Sequence, residues 1–388
     1  MRRARAIEQI RERYLLPGTI TQVVGESGSG LSTLAREVTA AHGAAVMVAQ
    51  DAEGALSGLR ETVREEVAFG LEQRGIPRER MKSAVAEVIE SLELGDLAHA
   101  HPAALSGGQT RRLALATMAV LLSFDTAALV GDDPLAGLDA ESRRAVVSLC
   151  RDLTRCGRAV LLVGYEAAPE LPGPVLWWDG EELHDEVSQP RFFPPEPVAP
   201  RPQREYFHGV WVRRGAGFRS GPHDLSVARG GVTWVRGPNG AGKTSLLRAL
   251  AGLDGAQPSV GVALALQRSR DQVLDTQAAR MVGDPEVCRR WGIDPQAHPL
   301  DLCASDLRCA QVLAAAELGR PVLALDEPDV GCDPSGRHRL HRIVAERLEV
   351  GTAVVMTCHD RAFMEQVARY ATVETHDLLR PQRPMRPR

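Results

Sequence analysis

The nine residues Gly237, Pro238, Asn239, Gly240, Ala241, Gly242, Lys243, Thr244 and Ser245 constrain this 388-residue chain more than any others. They satisfy G-x-x-x-x-G-K-[ST]. An apolar run, Gly231 to Val235, precedes them and a helix-forming run, Leu246 to Leu250, follows. Strand, glycine loop and helix in that order form a cradle for phosphate. The glycines let backbone N–H groups close on phosphate oxygens, and the helix N-terminus adds its positive dipole end. In that frame Lys243 reaches the β- and γ-phosphates and the Thr244 hydroxyl meets Mg²⁺. A nucleoside triphosphate site, or half of one, is the expectation.

The loop occurs twice. Gly25-Glu-Ser-Gly-Ser-Gly-Leu-Ser-Thr33 stands 212 positions earlier, again after an apolar run, Ile20 to Val24. Gly25, Gly28, Ser29, Gly30, Ser32 and Thr33 keep the pattern, but Leu31 occupies the place of the lysine. Asp132 and Asp326 close two further apolar runs 194 positions apart, and Tyr165 and His359 end later ones at the same offset. Two homologous domains in tandem are expected, the second shorter in its middle. Prolines at 190, 194, 195, 197, 200 and 202 mark the junction. Such a segment reads as an extended spacer reaching about 40 Å at 3.1 Å per residue. The expected boundaries are 1–189, a linker over 190–205, a second domain over 206–379, and a basic tail over 380–388.

Strands alternating with helices in each half imply α/β architecture with buried parallel strands, among them Val322–Leu325 and Ala353–Met356. Arg78–Leu94 carries Met81, Val85, Val88, Ile89 and Leu92 at helical spacing and reads as an amphipathic helix. The histidine pairs His99/His101 and His338/His341 lack further ligands and read as solvated. Seven scattered cysteines without a C-x-x-C pair fit reduced thiols. A net charge of −4 argues against a dedicated nucleic-acid binder, so no nucleic acid partner is expected. No apolar stretch approaches the roughly 20 residues of a membrane helix.

Between the first loop and its acidic strand end lies Leu105-Ser-Gly-Gly-Gln109. Ser106, Gly107, Gly108 and Gln109 open a helical run and make a second anion cradle. With this motif the chain resembles ATP-binding cassette (ABC) ATPases, two cassettes fused in one polypeptide. The resemblance implies two tandem P-loop domains, each a RecA-like parallel-sheet core with a helical subdomain, paired as a pseudo-heterodimer. ATP and Mg²⁺ are the implied cofactors. It further implies that Asp326 supports Mg²⁺, that Glu327 polarises the attacking water, that His359 contacts the γ-phosphate, and that Gln267 touches the metal. Gln50 is the corresponding glutamine of the first half. Asp333 and Asp139 resemble aspartates that reach across the paired cassettes. Trp211 or Arg214 is left to stack on adenine.

The departures sort by half. Leu31, Asp133 in place of the catalytic glutamate, and Tyr165 in place of the histidine disable the first half's loop. Leu302-Cys-Ala-Ser-Asp306 replaces the second half's signature. In the family each ATP lies between one cassette's loop and the other's signature. One complete site therefore joins Lys243, Glu327 and His359 to Ser106–Gln109 and Asp139, and every defect collects in the other.

After Gln50, Glu61–Glu72 resembles the corresponding run of energy-coupling factor importer ATPases, as does Arg268–Leu274 after Gln267. Taken up, this implies a micronutrient import motor, peripheral on the cytoplasmic face of the cell membrane. Its partners would be a transmembrane coupling subunit and a separate substrate-binding membrane component. The rival readings are a soluble tandem cassette protein acting on ribosomes or DNA, and a regulatory ATP-binding pair without transport.

Overall fold

The computed structural model describes residues 2–49, 56–105, 107–124, 126–138, 140–187, 192–214, 218–238, 240–253 and 261–378. Gln50, Ser106, Asp139, Asn239 and the basic tail lie outside them, as does the side chain of Arg214. The chain divides into two compact units, Met1–Gln189 and Pro190–Arg388.

The first unit opens on α1 (Arg2–Gln9), which runs into one π-helical turn, Ile10–Tyr14. Then follow β1 (Ile20–Gly25), α2 (Leu31–His42), β2 (Ala45–Val48), α3 (Val63–Gln73), α4 (Arg78–Ser91) and α5 (Gly107–Ala119). The unit ends with β3 (Ala128–Asp132), α6 (Ala140–Arg155), β4 (Ala159–Gly164), β5 (Val175–Trp178) and β6 (Leu183–His184). Its sheet has the order β2-β3-β4-β1-β5-β6, parallel except for β6. β1, β3 and β4 are buried along their whole length, which is why they read as mainly apolar runs rather than as alternation, with Thr21, Gln22 and Asp132 the buried polar exceptions. The helical middle gathers Val63, Val67 and Leu71 of α3 with Val85, Val88 and Ile89 of α4. A capping box, Thr62 with Glu65, fixes where α3 starts.

The second unit begins with a ribbon, β7 (Arg204–Arg214) and β8 (Phe218–Ala228), followed by β9 (Val232–Arg236), α7 (Lys243–Leu250) and β10 (Val262–Ala265). A short helical middle, α8 (Ala278–Val282), α9 (Pro285–Arg290) and α10 (Ala304–Glu317), leads to β11 (Val322–Asp326). The chain closes with α11 (Pro334–Glu349), β12 (Ala353–Thr357), α12 (Arg361–Val367) and β13 (Val373–Asp377). The order β10-β11-β12-β9-β13 is all parallel and repeats the first unit's β2-β3-β4-β1-β5. In both units the strand feeding the glycine loop is flanked by the same two later strands. The loop and the acidic strand end therefore open at the same edge of the sheet.

The proline-rich segment is not a free spacer. Val198 N–H donates to the Tyr370 carbonyl at 2.7 Å, and Arg201 N–H to that of Arg229 at 2.7 Å. The Arg201 guanidinium donates to the Glu349 carbonyl at 2.8 Å, across Gly351 (φ +88), where a Cβ would collide with it. The Phe192 ring meets His341 edge-on at 4.8 Å. Proline fixes extended backbone, but the residues between prolines keep their donors, and those donors and the apolar side chains find this unit's surface.

His341, expected to be solvated, is fully buried. It stacks on Phe363 at 4.3 Å and shares hydrogen bonds of 3.0 Å with the Tyr370 hydroxyl and Gln366. Burial pushes its pKa down to about 4. Below about pH 6.5 the unfolded chain takes up a proton that the folded chain refuses. Stability should therefore fall by about 3 kcal/mol between pH 7 and pH 4 on account of this group. Urea denaturation of wild type and His341→Gln at both pH values checks it: the variant should lose less on acidification.

Candidate nucleotide site

In the second unit the loop between β9 and α7 depends on two glycines. Gly242 holds φ +98 as the residue that starts α7, and a Cβ on Gly237 would stand 2.7 Å from the Leu378 carbonyl oxygen. Lys243 is the first residue of α7 and is 8% exposed. Its Nζ donates to the carbonyls of Gly237 at 2.9 Å and Pro238 at 3.4 Å, so its charge rests over the loop.

The acidic end of β11 lies against this helix start. Thr244 Oγ1 donates to Asp326 Oδ1 at 3.2 Å, and Thr357 Oγ1 to the same oxygen at 2.7 Å. Asp326 Oδ2 is buried with no hydrogen-bond partner among the described residues. Burial raises the Asp326 carboxyl, and the charge of Glu327 adds to that, against the two threonine hydrogen bonds. Glu327 holds φ +47, a costly conformation for a residue with a side chain. Its N–H donates to the Thr357 carbonyl at 3.1 Å and to Oγ1 at 3.0 Å. Gln267 Nε2 donates to Glu327 Oε2 at 2.6 Å, and His359 Nε2 stands 3.3 Å from Oε1. The structure thus assembles Lys243, Thr244, Gln267, Asp326, Glu327 and His359 within one unit. Thr357 was not singled out in the sequence. It belongs there because parallel pairing sets it directly opposite Asp326.

The first unit keeps the backbone of this arrangement and changes its chemistry. Gly30 (φ +86) starts α2 as Gly242 starts α7, and Asp133 repeats the strain at φ +49. The Ser32 hydroxyl hydrogen-bonds Asp132, whose carboxyl is raised by burial. Gly28 (φ +86), Ser29 and Gly25 shape the loop. Ser29 Oγ donates to the Glu26 carbonyl at 2.6 Å, and a Cβ on Gly25 would stand 2.5 Å from the Trp178 carbonyl oxygen. Leu31 is 5% exposed and joins an apolar cluster with Ala6, Ile10, Leu34, Ala35 and Val38. Where Lys243 lays a charge over its loop, Leu31 anchors a core that includes the N-terminal helix. Thr33 is exposed and Tyr165 half-buried. Gly107, Gly108 and Gln109 form the first turn of α5.

The substituted signature of the second unit is built into its own fold. Ser305 Oγ donates to Asp333 Oδ1 at 2.8 Å and accepts from Asp333 N–H at 3.0 Å. Asp333 in turn caps α11, accepting from Gly336 N–H at 2.7 Å. Asp306 pairs with Arg339 at 2.6 Å. Expected to reach outward, Asp333 is instead 2% exposed, because Ser305, Ser335 and Gly336 all donate to its carboxylate and hold it inside the unit. Trp211 is 38% exposed, with the Arg219 guanidinium 3.9 Å from its ring centre.

The protein-family profile described as ABC transporter matches residues 12–136. A Streptomyces coelicolor protein named as an ABC transporter ATP-binding protein is 26% identical over 79% of this chain and 74% of its own length. The chain is an ABC-type ATPase. The energy-coupling factor transporter ATP-binding protein EcfA1 of Thermotoga maritima is 33% identical, but over only 38% of this chain and 63% of its own. Among solved structures, that of the archaeal ribosome recycling factor aABCE1 with the ribosomal stalk protein aP1 covers 93% of this chain and 83% of that one. The TM-score is 0.61 at 18% identity, a likeness of fold.

These findings correct the importer reading. The energy-coupling factor transporter ATP-binding protein is matched over only part of this chain. A solved structure matched along nearly the whole chain is that of a protein named for ribosome recycling. No described helix is long and apolar enough to cross a membrane.

Proposed function

We propose that both units are cassettes and that the chain is an ATP-driven conformational switch acting on ribosomes, with one hydrolytic site built on Gly237–Ser245. The observation that carries the site is the Glu327 carboxylate held between Gln267 and His359, beside the Thr244–Asp326 pair. Glu327 orients the attacking water and accepts its proton, while His359 lies within reach of the γ-phosphate side. Mg²⁺ fits the buried, unpartnered Asp326 Oδ2 next to the Thr244 hydroxyl. When bound, it supplies charge to offset the phosphates. Lys243 binds the β- and γ-phosphates through its Nζ.

We further propose that the first unit's Ser106 to Gln109 and Asp139 are nucleotide-contacting residues. This assignment rests on the way the substitutions sort between the halves. Leu31, Asp133 and Tyr165 leave its own loop without the cation, the full-length carboxylate and the imidazole that hydrolysis uses. Gly25–Thr33 with Asp132 is accordingly a non-hydrolytic nucleotide site.

The ribosomal target is supported by the likeness to the recycling factor over both units. Sedimentation of purified protein through sucrose with ribosomes from its own source tests it. Glu327→Gln with ATP should pellet with ribosomes and wild type with ADP should stay in the supernatant. Equal recovery in the supernatant for both would remove the ribosome from the reading.

A further inference from the structure

Helix α10 carries a guanidinium that nucleotide chemistry does not call for. Arg308 is 4% exposed, two residues beyond the substituted signature. Its Nη1 donates to the Leu266 carbonyl at 2.7 Å and to Gln311 Oε1 at 2.8 Å, and its Nη2 donates to the Gln267 carbonyl. Gln311 Nε2 reinforces the grip on the Leu266 carbonyl at 2.8 Å and donates to Gln272, whose Oε1 accepts from Leu266 N–H at 2.7 Å. These residues hold the backbone just past β10, the outermost strand of its sheet, and Gln272 Nε2 donates to the Leu264 carbonyl within it at 3.0 Å. The backbone they hold is that of Gln267, and the Gln267 amide meets Glu327 Oε2. The charges of Asp329, Asp326 and Glu327 favour the same cation against the cost of its burial.

We propose that Arg308 is a positioning residue for hydrolysis: by forking onto the Leu266 and Gln267 carbonyls from α10, it sets the Gln267 amide on the Glu327 carboxylate. The inference rests on the reading of Glu327 as the group that orients water. A planar guanidinium suits the task because two donors in a fixed fork restrain two successive carbonyls at once. An ammonium holds one carbonyl at a time. Loss of the fork frees the Gln267 segment by an ångström or so, and a misplacement of that size costs about 10- to 100-fold in rate. It also means that motion of α10 is transmitted to the carboxylate through one side chain.

The test is a double-mutant cycle on the full chain with Arg308→Gln and Gln267→Ala, read as kcat and as KM for ATP. Each single variant should lose about tenfold or more in kcat with KM within about twofold, and the double variant should be no worse than the worse single one. A purely structural arginine gives losses that multiply. Multiplying losses, or an unchanged kcat in Arg308→Gln, would overturn the proposal. If Arg308→Gln does not fold, Arg308→Lys keeps the buried charge without the fork and enters the same cycle under the same criteria. Glu327→Gln run alongside separates the two readings. Residual turnover there sinks the role of Glu327, whereas a dead Glu327→Gln with multiplying losses sinks only Arg308.

Discussion

Glu327→Gln should reduce ATP turnover of the full-length protein by at least two to three orders of magnitude, while Asp133→Asn should leave it within about twofold. The amide keeps the size of the side chain and its contact with His359, but it cannot accept the proton of the attacking water. Its backbone conformation, at φ +47, is fixed by the Thr357 hydroxyl and carbonyl, so the loss reports chemistry rather than folding. Asp133 has the same backbone strain at φ +49 and a carboxylate one methylene shorter, in a unit whose loop lacks the lysine. Lys243→Ala should be as inactive for a different reason. It removes the ammonium now resting on the Gly237 and Pro238 carbonyls, and ATP affinity should fall with it. Phosphate release and nucleotide binding on the same preparations separate the two effects. Substantial turnover in Glu327→Gln together with a dead Asp133→Asn would place hydrolysis in the other unit.

The loop was legible because every position in it answers to a local demand. Gly242 must tolerate a positive φ, Lys243 must follow it, and an apolar strand must deliver the chain. That strand, expected over Gly231–Val235, lies at Val232–Arg236. The amphipathic helix expected over Arg78–Leu94 lies at Arg78–Ser91 for the same kind of reason, since its apolar spacing is a property of the segment itself. What the sequence concealed depends on which distant side chains meet. Nothing local to Arg308 says that its fork closes on residues 42 and 41 positions earlier. Proline spacing describes a stiff segment but not the donors of Val198 and Arg201 that fasten it. Leu31 reads as a missing lysine, and only the cluster with Ala6 and Ile10 shows that the position has taken up a structural task. The importer reading failed in a related way. It leaned on short runs beside Gln50 and Gln267, which are too local to fix what a cassette ATPase acts on.

Copying Ser106-Gly-Gly-Gln109 onto residues 303–306 should weaken the second unit rather than repair it. On sequence alone Cys303–Asp306 reads as decay, and restoring the motif would be the natural rescue. In the fold, Ser305 is the partner of both the Asp333 N–H and its Oδ1, and a Cβ on Gly336 would stand only 2.6 Å from Ser305 Oγ. Glycine at 305 strips a buried donor and a buried carboxylate of one partner each, at about 1–3 kcal/mol, and adds about 1 kcal/mol of helix cost. Glutamine at 306 removes the carboxylate from Arg339, which is three-quarters covered. The sum is about 3 kcal/mol, enough to lower the unfolding midpoint by several degrees for a unit of this size. Turnover should not rise, because Leu31, Asp133 and Tyr165 remain unchanged. Calorimetry and phosphate release on the grafted protein give the two readings together. A graft as stable as wild type, with added turnover, would show that the residues at 303–306 have no structural task of their own. The expected result, a less stable protein without added turnover, assigns Ser305 to the buried cap of α11 and leaves phosphate binding to the signature at Ser106–Gln109.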